Sequence, residues 1–269
     1  MPWFVSDAGC NGMGGHVPTT SLMTTVTASA TVNAVGNWIQ LHAGVTFPVF
    51  GVELFMGKTG WAVAASNTQA LLDLGRGASG AEVAISQDIA FGGSVAFASW
   101  SFPLYIPIGS RVVMRVRSAV ASKANTFAIR LFGGGQGIEA AHRAVTYGAV
   151  TASSTGTAIA APTAINTKSA WTAIATTTAP ARWMLVGISS PPTTTATAGD
   201  GLLDIGTGAT PGVIIPDLPF SVSVNEEINC GRPLLFPVDI PAGISLAARY
   251  QCTSISTASR PNITLTGFG

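Results

Sequence analysis

FPLYIPIGSRVVMRV, residues 102 to 116, is written a second time as FPVDIPAGISLAARY at residues 236 to 250, 134 residues further on (236 − 102) in a chain of 269. A repeat set half a chain away describes architecture: two similar units in tandem. The alternation of side chains is kept along with the identities. Neighbouring residues of a strand point to opposite faces, so Val112, Met114 and Val116 share one face while Arg111, Val113, Arg115 and Arg117 share the other. In the second copy Leu246, Ala248 and Tyr250 oppose Ser245, Ala247, Arg249 and Gln251. A slip of one residue would exchange the faces, which pins the register. Each copy enters this strand through Ile-Pro-Xaa-Gly (Ile106 to Gly109, Ile240 to Gly243), a tight turn with its φ set by Pro and a glycine three residues after the Ile.

Further matches follow in the same order. LLDLGRGAS (71 to 79) answers to LLDIGTGAT (202 to 210), and Asn33 and Trp38 answer to Asn166 and Trp171. Phe50 and Leu54 pair more loosely with Trp183 and Gly187, and the closing run 262 to 266 pairs with 128 to 132. Between them lie short alternating or β-branched runs (22 to 32, 37 to 43, 49 to 56, 81 to 89, 126 to 132) separated by Gly, Ser and Asn, the pattern of an all-β sandwich or barrel. Residues 62 to 74 lack charged i,i+4 support for a helix and read as a loop. The organisation expected is an extended N-terminal arm (1 to 17), a first β-sandwich domain (18 to 137), a solvated linker carrying Glu139, His142 and Arg143 (138 to 144), and a second β-sandwich domain (145 to 269).

Composition narrows the function. Hydrophobic residues make up 47% of the chain and charged ones only 9%, against about 25% in an ordinary soluble domain. Much of the surface is therefore Thr, Ser, Ala and Gly, which suits permanent assembly. A net charge of +1 supplies no field to gather nucleic acid. The local exception is the strand face of Arg111, Arg115 and Arg117, with Arg130 beside it, which would suit an acidic neighbour or a phosphate. Cys10, Cys230 and Cys252 are too few for a disulfide framework and read as reduced thiols. The chain opens without the pattern of a secretory signal, and no apolar run is long enough to span a membrane. Folding in a cytoplasm is expected.

No constellation for catalysis, metal or cofactor binding emerges. His16, His42 and His142 have no counterparts in the other repeat and lack metal-ligand spacing. Asp73 and Asp204 are kept in both copies, each followed by glycines, and read as structural residues accepting backbone N–H bonds. The glycine runs 75 to 80 and 133 to 137 lack the Lys-Ser/Thr of a phosphate loop, and no nucleophile elbow is present. Trp3 and Phe4, in a glycine-rich leader, are expected to anchor the arm on a neighbouring subunit. Trp61 and Trp100 are the aromatics expected to serve as stacking platforms should the protein bind a glycan.

Taken together, the tandem Leu-Leu-Asp-(Leu/Ile)-Gly-Xaa-Gly-Ala and Phe-Pro-Xaa-Xaa-Ile-Pro-Xaa-Gly motifs on a Thr/Ala/Gly-rich background resemble virion proteins of tailed bacteriophages. The resemblance implies jelly-roll-like sandwiches used as a particle component: a capsid decoration, a head fibre, or part of the tail. The partners it implies are copies of the chain and other virion proteins, with a host-surface glycan as the alternative, and the location it implies is the virion.

Overall fold

The computed structural model describes residues 10–14, 23–57, 70–91, 97–133, 140–149, 151, 156–189, 199–222, 234–254 and 260–269. The first repeat contributes β1 (Cys10–Gly14), β2 (Thr24–Thr27), β3 (Ile39–His42), β4 (Val49–Gly57), β5 (Ala70–Arg76), β6 (Val83–Phe91), β7 (Phe97–Phe102), β8 (Val112–Ser118) and β9 (Ala124–Gly133). The second contributes β10 (Ala144–Tyr147), β11 (Thr157–Ala158), β12 (Thr172–Thr176), β13 (Ala181–Ser189), β14 (Gly199–Thr207), β15 (Gly212–Val222), β16 (Leu234–Ile240), β17 (Ser245–Cys252) and β18 (Asn262–Phe268). No helix occurs among the described residues, so none there is long and apolar enough to cross a membrane.

The pairing makes the duplication complete. In the first domain the sheet β1-β9-β4-β7, with β2 also on β9, packs on the sheet β3-β8-β5-β6. In the second, β10-β18-β13-β16, with β11 on β18, packs on β12-β17-β14-β15. Adding nine to every label of the first domain reproduces the second. Both are antiparallel β-sandwiches.

Alternation puts the repeated strands to work as expected. Val112, Met114 and Val116 of β8 join Leu72 and Leu74 of β5 against Leu54, Met56, Phe127 and Ile129 of the facing sheet. Leu246, Ala248 and Tyr250 of β17 join Leu203 and Ile205 against Met184, Val186 and Leu265. Each large side chain buried this way contributes about 1.5–3 kcal/mol. The Ile-Pro-Xaa-Gly turn is a corner between sheets: Ile106 bridges Val49 in one, while Val112 pairs with β3 in the other. Gly109 and Gly243 sit at φ 79° and 83°, in the left-handed region that favours glycine.

Several sequence expectations are corrected. Residues 70 to 74, read as the end of a loop, belong to β5, a strand flanked on both sides that carries the LLDLG motif. Val52 and Met184, not Phe50 and Trp183, are equivalent, since they stand opposite Phe102 and Phe236. Bulges near Val49 and Ala181 hid that one-residue difference. By the same pairing, residues 126 to 130 answer to 262 to 266, two residues from the expected match.

The boundaries shift as well. Residues 10 to 14 of the expected arm are β1, hydrogen-bonded to β9 as β10 is to β18, so the first sandwich begins inside that arm. The expected linker is only partly solvated. His142 and Arg143 are exposed, but Ala141 and Ala144 are buried, and Ala141 pairs with Leu104 of the first domain. Glu139 lies outside the described residues.

The domains are joined through an apolar contact. Ala141, Ala144, Leu185 and Phe268 of the second domain complete the first domain's core, and the Phe268 ring stacks on Phe102 with centroids 5.8 Å apart. On the first-domain side, β6 lies against β10, β13 and β18.

Candidate functional site

The most organised polar cluster lies on the outer face of the sheet β3-β8-β5-β6 and recurs on its counterpart. Alternation in LLDLG turns Leu72 and Leu74 inward and Asp73 and Gly75 outward; LLDIG does the same for Asp204 and Gly206. Strand pairing then sets Asp73 beside Arg115 and Asp204 beside Arg249. Arg115 Nε donates to Asp73 Oδ2 at 2.8 Å, and Arg249 Nε to Asp204 Oδ2 at 2.9 Å. Each guanidinium also stacks on a tryptophan, 4.3 Å from the Trp38 ring centre and 4.5 Å from that of Trp171. The glycine is required here. A Cβ on Gly75 would stand 2.8 Å from Trp38 Cη2, and one on Gly206 2.7 Å from Trp171 Cη2.

The other carboxylate oxygen fastens a bulge. Asp73 Oδ1 accepts the Asp88 N–H at 2.9 Å, and Asp204 Oδ1 accepts the Asp217 N–H at 3.0 Å. Asp88 and Asp217 adopt φ 57° and 51°, a conformation that costs an L-residue free energy unless its surroundings hold it. Asp73 and Asp204 are thus structural acceptors, as expected, but of an N–H on the neighbouring strand and not within their own glycine turn.

The second cation differs between copies. Arg117 pairs with Asp88 in the first domain. In the second, Lys168 Nζ reaches Asp204 Oδ1 at 2.8 Å and Asp217 Oδ1 at 2.7 Å. Both carboxylates are enclosed, at 5% and 4% side-chain exposure, and their pKa values shift in opposite directions. At Asp73, burial raises the pKa above its ordinary value and outweighs the Arg115 hydrogen bond and the Arg115 and Arg117 charges. At Asp204, burial pushes upward too, but the bonds from Lys168, the Asp217 N–H and Arg249 prevail and lower it.

These contacts answer most expectations about site residues. Arg111, Arg115 and Arg117 do not form an open anion site: each meets a carboxylate of its own domain, Arg111 reaching Glu82 at 2.7 Å. Arg130 likewise pairs with Glu53 at 3.1 Å. Trp100 is 7% exposed and belongs to the first core, so it offers no platform to a sugar. Its position on β7 opposite Leu54 turns it inward. Trp3, Phe4 and Trp61 lie outside the described residues, as do His16 and Cys230.

His42 Nδ1 accepts the Gly44 N–H at 3.2 Å, and burial lowers its pKa. Cys252 is a buried free thiol. No group of three metal-ligating side chains occurs among the described residues. Sequence reasoning used Trp38 and Trp171 only as repeat markers and passed over Lys168. The signal available was the pairing of each Trp with an Asp and an Arg kept in both copies.

Fold and cluster together define the class: an all-β protein of two tandem, internally duplicated β-sandwiches with a matching Asp-Arg-Trp cluster on each. No family model and no curated protein matches the chain. Among solved structures, one of PNGF-II aligns at 9% identity and a TM-score of 0.35, over 91% of this chain and 65% of that one. The chain therefore spans just under two thirds of that protein's length. The CBM22-1-CBM22-2 tandem domain of Xyn10C from Paenibacillus barcinonensis aligns at 10% identity and a TM-score of 0.30, over 98% and 100% of the two chains.

Proposed function

We propose that the protein is a non-enzymatic structural component of a tailed-bacteriophage particle, of the decoration or fibre type. In this reading it attaches to capsid or tail through its N-terminal arm, with Trp3 and Phe4 as anchors, and one sandwich domain, and works by surface fit multiplied by symmetry. The observation that carries the reading is the use made of the few charges. The arginines of the β8 face and of β9, and Lys168 and Arg249 in the second domain, are held by carboxylates of their own domain. The surface left for contact is dominated by small and β-branched uncharged residues, which are cheap to desolvate against a neighbour.

The test is to purify particles from infected cells and measure the protein's copy number by mass spectrometry, with and without residues 2 to 9. A copy number matching a particle symmetry, reduced by the deletion, is the expected result. Absence from particles, combined with glycan-array binding lost in Trp61→Ala, would replace this reading with glycan recognition.

A further inference from the structure

Because the two domains share one topology, each half of the contact between them has a counterpart elsewhere on the molecule. On the second domain the contact uses β10, whose counterpart is β1, and the outer face of β13 and β18, where Leu185, Thr266 and Phe268 are buried. Strand pairing matches these to Glu53, Arg130 and Phe132, all partly exposed. On the first domain the contact uses the edge strand β6, whose counterpart is the edge strand β15. β15 has no comparable neighbour beyond β14 among the described residues, and its Val213 and Ile214 are exposed.

We infer that these two surfaces form a latent head-to-tail interface between copies of this chain, held shut by four residues. A second copy seating its β15 edge on the β1/β9/β4 face would repeat the contact already made inside the chain, and repetition of such a heterologous contact builds an open-ended filament. Each half carries a block. On the face, where the second domain has Leu185 and Thr266, the first has Glu53 and Arg130, paired at 3.1 Å with the guanidinium 5.1 Å from the Phe55 ring centre. Covering that pair would strip its water without supplying new partners. On the edge, Pro216 and Pro219 of β15 stand where β6 has Gln87 and Ala90. Their rings fix φ and give this edge a rigid contour that β6 does not have.

The inference rests on the strand equivalence and is independent of the particle reading. If both hold, copies meet their neighbours in the particle through other surfaces. It is tested with a face variant, Glu53→Leu with Arg130→Thr, and an edge variant, Pro216→Gln with Pro219→Ala, followed by sedimentation and multi-angle light scattering.

The expected result is that an equimolar mixture of the two variants doubles in mass, and that the four substitutions in one chain give a ladder of higher multiples. Folded variants that stay at their separate masses when mixed would overturn it. Hydrogen exchange on the unaltered protein decides the matter even if the variants fail to fold. Amides of residues 49 to 57 and 212 to 222 should exchange at a rate independent of protein concentration. Protection that grows with concentration would show the interface already in use, and the four residues would then not be holding it shut.

Discussion

Arg117, on β8, and Lys168, in the loop before β12, hold the same post. Val35 and Arg117 face each other across an isolated bridge, and their counterparts in the second domain are Lys168 and Gln251, as the matching N–H bonds of Asn33 to Ser118 and Asn166 to Cys252 establish. The cation has crossed from one member of the pair to the other, and the aspartate it serves, Asp88 or Asp217, has stayed.

The transposition predicts a compensated exchange. Arg117→Gln alone should destabilise the first domain by roughly 1–3 kcal/mol, because it leaves Asp88 without its charge partner. Adding Val35→Lys should restore much of that loss. A double-mutant cycle from urea unfolding measures the coupling, and strict additivity would show that the introduced ammonium does not reach the aspartate.

Gly75→Ala and Gly206→Ala should each displace the tryptophan above them and cost about 1–3 kcal/mol, the usual penalty of overpacking. Tryptophan fluorescence should shift with the fall in melting temperature. Gly80→Ala, where no heavy atom lies within 4 Å of the added Cβ, is the comparison that isolates backbone strain at φ 82° from crowding.

The two buried aspartates should respond to acid in opposite senses. Asp204 has a folded-state pKa below its ordinary 3.8, so its contribution to stability is present above that value and is lost as pH falls through the folded pKa. Asp73 has a raised pKa, so ionising it as pH climbs past 3.8 works against the folded state. Melting curves across the acid range should therefore show Asp204→Asn flattening the loss of stability at low pH. Asp73→Asn should not flatten it.

Phe268→Ala should weaken the seam between domains. Loss of a fully buried Phe costs about 3–5 kcal/mol, and the damage falls on the second domain's last strand and on the first domain's core together. Calorimetry should resolve one transition into two. A single transition merely moved to lower temperature would mean the domains unfold as one without that ring.

Duplication, strand-rich character and the facing of β8 and β17 were legible in the chain, because alternation along one strand depends on local order alone. The boundary at residue 17 was not legible: β1 is held by β9, and no nearby residue reports that bond. The same holds for Trp100, whose inward direction follows from its place opposite Leu54. Around β4 and β9 the sequence match misled by one or two residues, since bulges change the count without changing the motif.

Residue order by itself determined that a unit was copied, which side chains of its central strands share a face, and where the two Ile-Pro-Xaa-Gly turns fall. Tertiary structure alone decided that Arg111, Arg115 and Arg117 are neutralised at home, that Lys168 replaces Arg117, and that one sheet face is buried while its twin is partly exposed among the described residues. The reason is physical: facing is set by the period of the backbone, whereas an ion pair or a covered face depends on which distant strand arrives beside it.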